Sequence, residues 1–463
     1  MARQGQKPQF VRTIQVRNEN RVGVLASVIG TISDNGGDIG DIRLVSQSPR
    51  WVVRDIDVTL ESLEQLDNVL TNLHAIHESR VLEVRDEVLA AHVGGKIRIQ
   101  PTRPLTSIAD LGRIYTPGVG QVCRHLHEDP SAVDLYTMIG NTVAIVTDGT
   151  AILGLGNLGP QAGMPVMEGK SALLAHLVGI NGIPILLRTT DPEEIAQTVA
   201  NISPAYGVIQ LEDIASPHCF EVEELVKERV DIPVFHDDQQ GTAAVVVAAL
   251  LNACKVKGLD IRKQKIGQIG LGAAGLAIAK ALILLTGSPV LGADLQPDAV
   301  ARLVKGGGQS ADIEQIMGVC DVVIATTGAA NLIKPAMIRR GQIIFALSNP
   351  RPEIDPDEAE KAGALVAASG SSINNLLCYP GVCRGLLDAR ATRAIPEMFQ
   401  AASETLVDLT DEGSLLPGAL DKHVHAAVAA AVARVALEHG LARREADMVV
   451  MRELAEATAF GVP

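Results

Sequence analysis

The side chains best placed for chemistry in this chain are acids that follow apolar runs. Glu212-Asp213 comes directly after residues 208–211, and Asp237-Asp238 comes after 232–235 and His236. Carboxylates on ordinary surfaces are solvated, but acids at the ends of buried strands in an α/β fold face the ligand crevice. Several converging carboxylates repel one another unless a cation sits among them. An all-oxygen donor set suits Mg2+ or Mn2+. A second motif is Gly270-Leu-Gly272-Ala273-Ala274-Gly275, which follows the apolar run 266–269 and opens a helical pattern reaching about residue 285. Such glycines let the backbone approach a pyrophosphate, which the helix N-terminus attracts. Asp294 lies about twenty residues on, where an acid holds the ribose hydroxyls of NAD and disfavours the extra phosphate of NADP. Thr327-Gly328, after the run 321–325, is assigned to the same cofactor. Two further candidates are Tyr115, in Tyr115-Thr-Pro-Gly-Val, and Lys170, at the end of Pro165-Val-Met-Glu-Gly-Lys170. Lys170 is expected near the start of a helix over 169–178, where the positive dipole end lowers an ammonium's pKa. Taken singly, each of the two is more often structural than catalytic.

These groups need a scaffold, and the hydrophobic pattern supplies one. Over residues 10–88, Ile14 and Val16 alternate as in a half-buried strand, and Val24, Leu25, Val28, Ile29 and Ile32 recur at helical spacing up to Gly36-Gly37. A strand over 39–45, another through Val52, Ile56, Val58 and Leu60, a helix over 63–73 and a strand over 81–84 complete βαββαβ, the ferredoxin-like order. Residues 89–104 read as a linker, with Gly94-Gly95, Pro101 and Pro104. Residues 105–235 read as a mixed α/β domain, with buried strands over 142–146, 184–187 and 208–211. A helix over 192–202 is announced by Asp191-Pro192-Glu193-Glu194. Over 236–395, strands at 266–269, 289–292, 321–325, 342–347 and 364–367 alternate with helical segments, the pattern of a parallel, doubly wound, Rossmann-like sheet. Residues 396–463 read as Ala-rich amphipathic helices.

Length and composition agree with this division. The 463 residues suggest about three domains. Aromatics make up only 2 %, so Ala, Val, Ile and Leu must fill the cores. A net charge of −14 argues against non-specific binding to nucleic acid or an anionic membrane. The N-terminus is polar and lacks a signal core, and no apolar run approaches the roughly 20 residues of a membrane span. The six cysteines, at 123, 219, 254, 320, 378 and 383, form no CxxC pair, as expected of reduced, mostly buried thiols in a cytoplasmic protein.

Two resemblances follow from these motifs. The stretch NRVGVLA from Asn20, with NGGDI from Asn35, resembles an ACT domain. That implies side-by-side pairing of the domains and a small effector, often an amino acid, near the first turn. The motifs at Tyr115, at 141–157 (NTVAIVTDGTAILGLGN), at Val166-Met-Glu-Gly-Lys170, at Leu211-Glu-Asp-Ile and at His236-Asp-Asp-Gln, in that order, resemble the bacterial malic enzymes. An ACT domain ahead of the malic core is an arrangement known in that family. The resemblance implies metal-dependent oxidation of (S)-malate and its decarboxylation to pyruvate and CO2, with reduction of NAD or NADP, in a homodimer or larger homo-oligomer. Glu212, Asp213 and Asp238 match the family's metal ligands, and Lys170 the general base. Tyr115 matches the general acid and Asp237 the neighbour that orients the base. Asn349 and Asn375 match the amides that contact the substrate carboxylate. A base at Lys170 must be neutral, so the site is expected to depress its pKa. The chain departs from the family pattern at Gln240, at Ala175-His176 and at Gly112-Arg113-Ile114, none of which removes a reacting group. Rival readings are a malolactic-type enzyme, which retains NAD and releases lactate, and a catalytically silent ACT-linked metabolite sensor. Some relatives carry a phosphotransacetylase domain, for which 463 residues are expected to be too few.

Overall fold

A computed structural model describes residues 10–443, in two compact units that part between Lys96 and Ile97. The first unit runs β1 (Phe10–Glu19), α1 (Val24–Asp34), β2 (Asp38–Gln47), β3 (Trp51–Leu60), α2 (Leu63–His74) and β4 (Ser79–Asp86), and closes with the short α3 (Glu87–His92). Its antiparallel sheet has the order β2-β3-β1-β4, so the ferredoxin-like βαββαβ expectation holds. The alternation in β1 and β3 buries Ile14, Ile56 and Val58 against Val28 and Ile32 of α1 and Val69 and Leu73 of α2. The Gly36-Gly37 stop is steric as well as conformational. Gly36 has φ +79°, and a Cβ on Gly37 would lie 2.7 Å from the Ile32 side chain. The edge strand β2 leaves Ile42, Leu44 and Val45 exposed.

The second unit begins with α4 (Ile108–Ile114), α5 (Val119–Glu128) and α6 (Val133–Tyr136), none of which contains a buried residue. A parallel sheet of order β6-β5-β7-β8 follows. It is built from β5 (Thr142–Thr147), α7 (Pro160–Val178), β6 (Asn181–Leu186), α8 (Pro192–Ile202), β7 (Val208–Leu211), α9 (His218–Arg229) and β8 (Val234–His236). Every residue of β5 and β7 is buried, which is why these strands read as continuous apolar runs. A π-helical turn over Asp237–Gly241 joins β8 to α10 (Thr242–Val256).

The third sheet is also parallel, with the order β11-β10-β9-β12-β13-β14. Its elements are β9 (Ile266–Ile269), α11 (Ala273–Thr286), β10 (Leu291–Ala293), α12 (Pro297–Lys305), β11 (Gln309–Ser310), α13 (Ile313–Val319), β12 (Val322–Ala325), β13 (Ile343–Ala346), α14 (Pro356–Lys361) and β14 (Val366–Ser369). This is the strand order of a dinucleotide-binding fold, with the reversal between β9 and β12. The helices α15 (Tyr379–Asp388), α16 (Pro396–Asp408) and α17 (Lys422–Glu438) follow, and α15 and α17 pack on α7. The part of the expected C-terminal helical region from 444 onward lies outside the described residues.

The helix expected over 169–178 and the strand expected over 289–292 need correction, and one strand was not foreseen. The helix expected over 169–178 begins nine residues earlier in numbering, at Pro160. Pro is favoured in a first turn, and the glycines of this stretch hid the period. One of them, Gly163, packs closely, since a Cβ there would lie 2.6 Å from Ile152 Cδ1. The strand expected over 289–292 is Leu291–Ala293. β11 has only two exposed residues, Gln309 and Ser310, and carries no apolar pattern to read.

The glycine turn gives a direct test of the packing. A Cβ on Gly275 would lie 1.9 Å from the Gly270 carbonyl oxygen, with rigid backbone on that side. Gly275→Ala is expected to destabilise the second unit by about 1–3 kcal/mol, read as a lowered thermal midpoint by circular dichroism. An unchanged midpoint would contradict the close approach.

Candidate active site and metal centre

Four acids and one lysine meet at the carboxyl ends of β7 and β8. Glu212 and Asp213 follow β7, while Asp237 and Asp238 open the π-helical turn after β8. Oxygens of Glu212, Asp213 and Asp238 lie within 4.8 Å of one another. Glu212, Asp213 and Asp237 are almost wholly buried, and Asp238 is partly open. Lys170, from the middle of the 19-residue helix α7, places Nζ 2.6 Å from Asp237 Oδ2 and 3.1 Å from Glu212 Oε1. Its ammonium also lies 4.4 Å from the centre of the buried Tyr379 ring.

The backbone around the acids is specialised. Asp213 has φ +52°, an uncommon left-handed conformation for a residue with a side chain. Its N–H donates to Asp238 Oδ2 at 2.9 Å, which ties the two strand ends together. The other Glu212 oxygen accepts from Gln210 Nε2 at 3.0 Å. Gly241 closes the turn against the site, because a Cβ there would lie 1.9 Å from Asp237 Oδ1 and 3.8 Å from Asn375 Cβ. Asn375 is therefore beside the acids. Asn349 is exposed on a different loop, where its carbonyl oxygen is 2.7 Å from where a Cβ on Gly154 would sit. The same glycine-rich loop reaches the acids, with the Leu153 N–H 3.4 Å from Asp213 Oδ1.

The electrostatics explain why this cluster wants a cation. Burial raises Glu212 well above the ordinary carboxylate range. It pushes Asp213 up to about 7, with Asp238 adding repulsion, and Asp237 up to about 6. Burial would lower Lys170, but the charges of Asp237 and Glu212 outweigh it and hold the ammonium above its usual pKa. Both parts of the sequence argument about Lys170 are thus corrected. It sits mid-helix, away from the dipole end, and Asp237 and Glu212, with the Tyr379 ring beside it, stabilise its charged form. His236, fully buried, is kept neutral by desolvation. Buried Asp213 Oδ2 and Asp237 Oδ1 have no hydrogen-bond partner among the described residues. Orphaned carboxylate oxygens in an all-oxygen cluster with one lysine fit a divalent cation held by Glu212, Asp213 and Asp238.

The nucleotide motif lies in the same unit. Gly270 has φ +86° and Gly272 caps α11 with open space where its Cβ would be, so an anion can reach the helix N-terminus. Ala273 and Ala274 form the first turn of α11, and the 237–241 turn packs on this helix. Asp294 follows β10, and its carboxylate accepts from the Leu271 N–H at 2.6 Å, bracing the glycine turn. Thr327 and Gly328 follow β12.

A residue with no sequence motif organises this edge. Glu353 is fully buried and accepts from Thr327 N at 2.6 Å, from Thr327 Oγ1 at 2.8 Å and from Ser348 Oγ at 2.5 Å. Ser348 Oγ in turn accepts from Gly328 N at 2.7 Å. One carboxylate thereby pins the Thr327-Gly328 loop to the loop bearing Asn349. Only its position, five residues after Ser348, hinted at this. Tyr115 is not brought to Lys170. It caps the end of α4 and is 64 % exposed. All six cysteines are free thiols, and only Cys123 is exposed.

Comparison with known proteins matches residues 94–227 to the malic enzyme N-terminal domain, 239–292 to the malic enzyme NAD-binding domain and 6–85 to an ACT domain. The NAD-dependent malic enzyme 1 of Bacillus subtilis is 51 % identical over 430 residues, covering 92 % of this chain and 98 % of that protein. The bifunctional malic/malolactic enzyme of the same organism is 40 % identical, covering 81 % and 98 %. The crystal structure of malic enzyme from Pyrococcus horikoshii superposes with a TM-score of 0.75 at 38 % identity, covering 82 % of this chain and 97 % of that one.

The raised acids give a pH prediction. Between about pH 4 and 7, the folded cation-free chain holds protons that the unfolded chain has lost. Stability from this source is therefore fullest at the acid end and falls as pH rises towards 7. Mn2+ competes with those protons, so its affinity should rise between about pH 5.5 and 7.5. Titration calorimetry in buffers of different ionisation heat should register proton release on binding. An affinity flat across that window would contradict the assignment.

Proposed function

Because the chain belongs to the malic enzyme family, we propose that it catalyses the NAD(P)-dependent oxidative decarboxylation of (S)-malate to pyruvate and CO2, with NAD as the preferred acceptor. The observation that carries this is the buried Lys170, bridging Asp237 and Glu212 beside three clustered acid oxygens. A divalent cation held by Glu212, Asp213 and Asp238 would polarise the C2 oxygen of malate, and the nicotinamide would accept the hydride from C2. Lys170 Nζ takes the C2 hydroxyl proton. With a cation held by Glu212, Asp213 and Asp238, the charge of Glu212 would be engaged there and Asp237 would be the anion left in contact with the ammonium, a field that favours the neutral amine more than two free acids do. Asp237 holds Nζ in line, and the Asn375 and Asn349 amides orient the substrate carboxylate. Asp294 faces the ribose, and Gly270, Gly272, Ala273, Ala274, Gly275, Thr327 and Gly328 receive the dinucleotide. Tyr115 hands a proton to C3 after CO2 leaves. Since the phenol is exposed in the single chain, this role requires movement of the segment that carries it, or a second copy.

The ACT-like unit gives the enzyme a place for a small effector. The exposed apolar residues of β2 supply an edge on which two such units can pair in a homodimer. Among the described residues no helix is long and apolar enough to cross a membrane. The free thiols accord with a cytoplasmic enzyme. The similarity to a bifunctional malic/malolactic enzyme favours one second reading, in which NAD stays bound and lactate is released. A silent sensor is disfavoured, because Lys170 and the acids are all in place.

With malate, Mn2+ and NAD or NADP, free NADH and pyruvate should accumulate in stoichiometric amounts, and selected amino acids should change the rate. Lactate without free NADH would establish the malolactic reading, and no turnover with either dinucleotide would overturn both. Lys170→Ala should lower the rate by about a hundred- to ten-thousand-fold. Tyr115→Phe should slow pyruvate formation yet spare reduction of oxaloacetate. Near-normal malate oxidation by Lys170→Ala would refute the base.

A further inference from the structure

Glu353 is wholly out of water, and a carboxylate is costly to bury unless several donors meet it. Its donors come from two loops. Thr327 N and Oγ1 donate from the loop after β12, and Ser348 Oγ and, at 3.3 Å, Ser348 N donate from the loop after β13. The network takes up three successive amides. The Thr327 N–H goes to Glu353, the Gly328 N–H to Ser348 Oγ, and the Ala329 N–H, at 3.1 Å, to Thr327 Oγ1. Both hydroxyls donate onward to the carboxylate, so all three amides lead to Glu353 in one step or two. Hydrogen bonds linked in this way polarise and strengthen one another. On the second loop, Asn349 follows Ser348 directly. Its Nδ2 lies against Gly370, where a Cβ would be 2.7 Å away, and its carbonyl oxygen lies against Gly154. Where Ser348 is held therefore sets where the Asn349 amide can point.

We propose that Glu353 is a positioning residue that couples the two ligands of the site: it fastens the dinucleotide loop to the substrate loop, so that filling either one places the other. The proposal rests on the reading of Thr327-Gly328 as a cofactor loop and of Asn349 as a contact for the substrate carboxylate. Backbone bonds from Asn331 to Pro352 and from Ile333 to Glu353 join the loops farther along, and leave the ends that face the ligands to the carboxylate. A dinucleotide that settles on Thr327 and Gly328 moves or steadies Ser348 through Glu353, and Asn349 with it. A substrate carboxylate on Asn349 does the same in reverse, as linkage requires. The charge matters as well as the shape, because hydrogen bonds to a carboxylate are roughly twice as strong as those to a neutral acceptor. An amide at this position would also turn a donor towards donors.

The test uses the full-length protein with Mn2+, NADH and tartronate, a short hydroxydicarboxylate that cannot react with an already reduced dinucleotide. Fluorescence titration should show NADH binding about tenfold tighter with saturating tartronate than without it, and calorimetry should find the same factor for tartronate with NADH. In Glu353→Gln the factor should fall to near unity, while the Mn2+ affinity stays that of the parent. In turnover the same variant should raise the malate KM at saturating NAD about tenfold, with a smaller change in kcat. Ser348→Ala, which cuts the link to Gly328 and leaves Glu353 in place, should lose part of the factor, and it serves if Glu353→Gln does not fold. Gln342→Leu is the structural control. It removes buried bonds to the Met317 and Cys320 carbonyls beside β13, and should lower the thermal midpoint yet keep the factor. The coupling would be overturned if tartronate left the NADH affinity of the parent unmoved. It would equally be overturned by a full factor in folded Glu353→Gln or Ser348→Ala, or by an equal loss in Gln342→Leu. Each of these results can arise in a protein that oxidises malate, and would leave the proposed reaction standing. A parent protein that neither binds NADH nor oxidises malate would overturn both.

Discussion

An excess of buried negative charge organises the second unit. Glu212, Asp213 and Asp237 lie out of water with Asp238 at their edge, and Lys170 is the single cation in contact with them among the described residues. Taking carboxylates out of water costs several kcal/mol each before any partner is found. One ammonium, split between Asp237 and Glu212, cannot offset that for the whole cluster. The raised pKa of Asp213 and the unpartnered oxygens are two signs of the same imbalance. A divalent cation held by Glu212, Asp213 and Asp238 would offset it, and it would also weaken the field that holds Lys170 protonated, as the proposed role of Lys170 requires.

The fold makes this imbalance affordable by concentrating it at strand ends. In the β6-β5-β7-β8 sheet the strands are parallel, so β7 and β8 deliver their following residues to one edge. The strands are apolar because helices cover both faces, and the first polar residues after them are the acids. The π-helical turn then does two things at once. It presents Asp237 and Asp238 to the crevice, and it packs on α11, the helix opened by the glycine turn. The candidate metal ligand Asp238 and the helix opened by the glycine turn are consequently held by one short segment. Gly241 and Gly275 are glycines because neighbouring oxygen atoms occupy the places their side chains would need.

The loops after β12 and β13 are tied to each other by backbone bonds from Asn331 and Ile333 to Pro352 and Glu353, and the Thr327 end of the first needs a further anchor. Glu353 supplies it by gathering donors from Thr327 and Ser348. A buried carboxylate with several N–H and O–H donors and no cation partner is stabilised by hydrogen bonds alone. Tyr115 shows the contrary case. Its segment, α4 through α6, buries nothing within the chain, so nothing there dictates where the phenol goes.

Much of the molecule was legible in the sequence because it depends on local periodicity and on short motifs. The alternation of Ile14 and Val16, the helical spacing of Val28 and Ile32 and the apolar runs before Glu212 and Asp237 each reflect burial of one face or of both. The glycine turn at 270–275 was readable because its demands, a positive φ and close approach, fall within a few residues. What the sequence could not determine are quantities set by groups far apart in the chain. The protonation of Lys170 depends on Glu212 and Asp237, which folding brings within 3.1 Å of its Nζ, and on burial that no local pattern reveals. Its place in the middle of α7 was masked by glycines, one of which, Gly163, packs against Ile152 on another element. The role of Glu353 is likewise created by Thr327, on another loop. Residue types and their order determined which chemical groups are present. Only the tertiary structure decided their charges, because an ionisable group's pKa is a property of its surroundings.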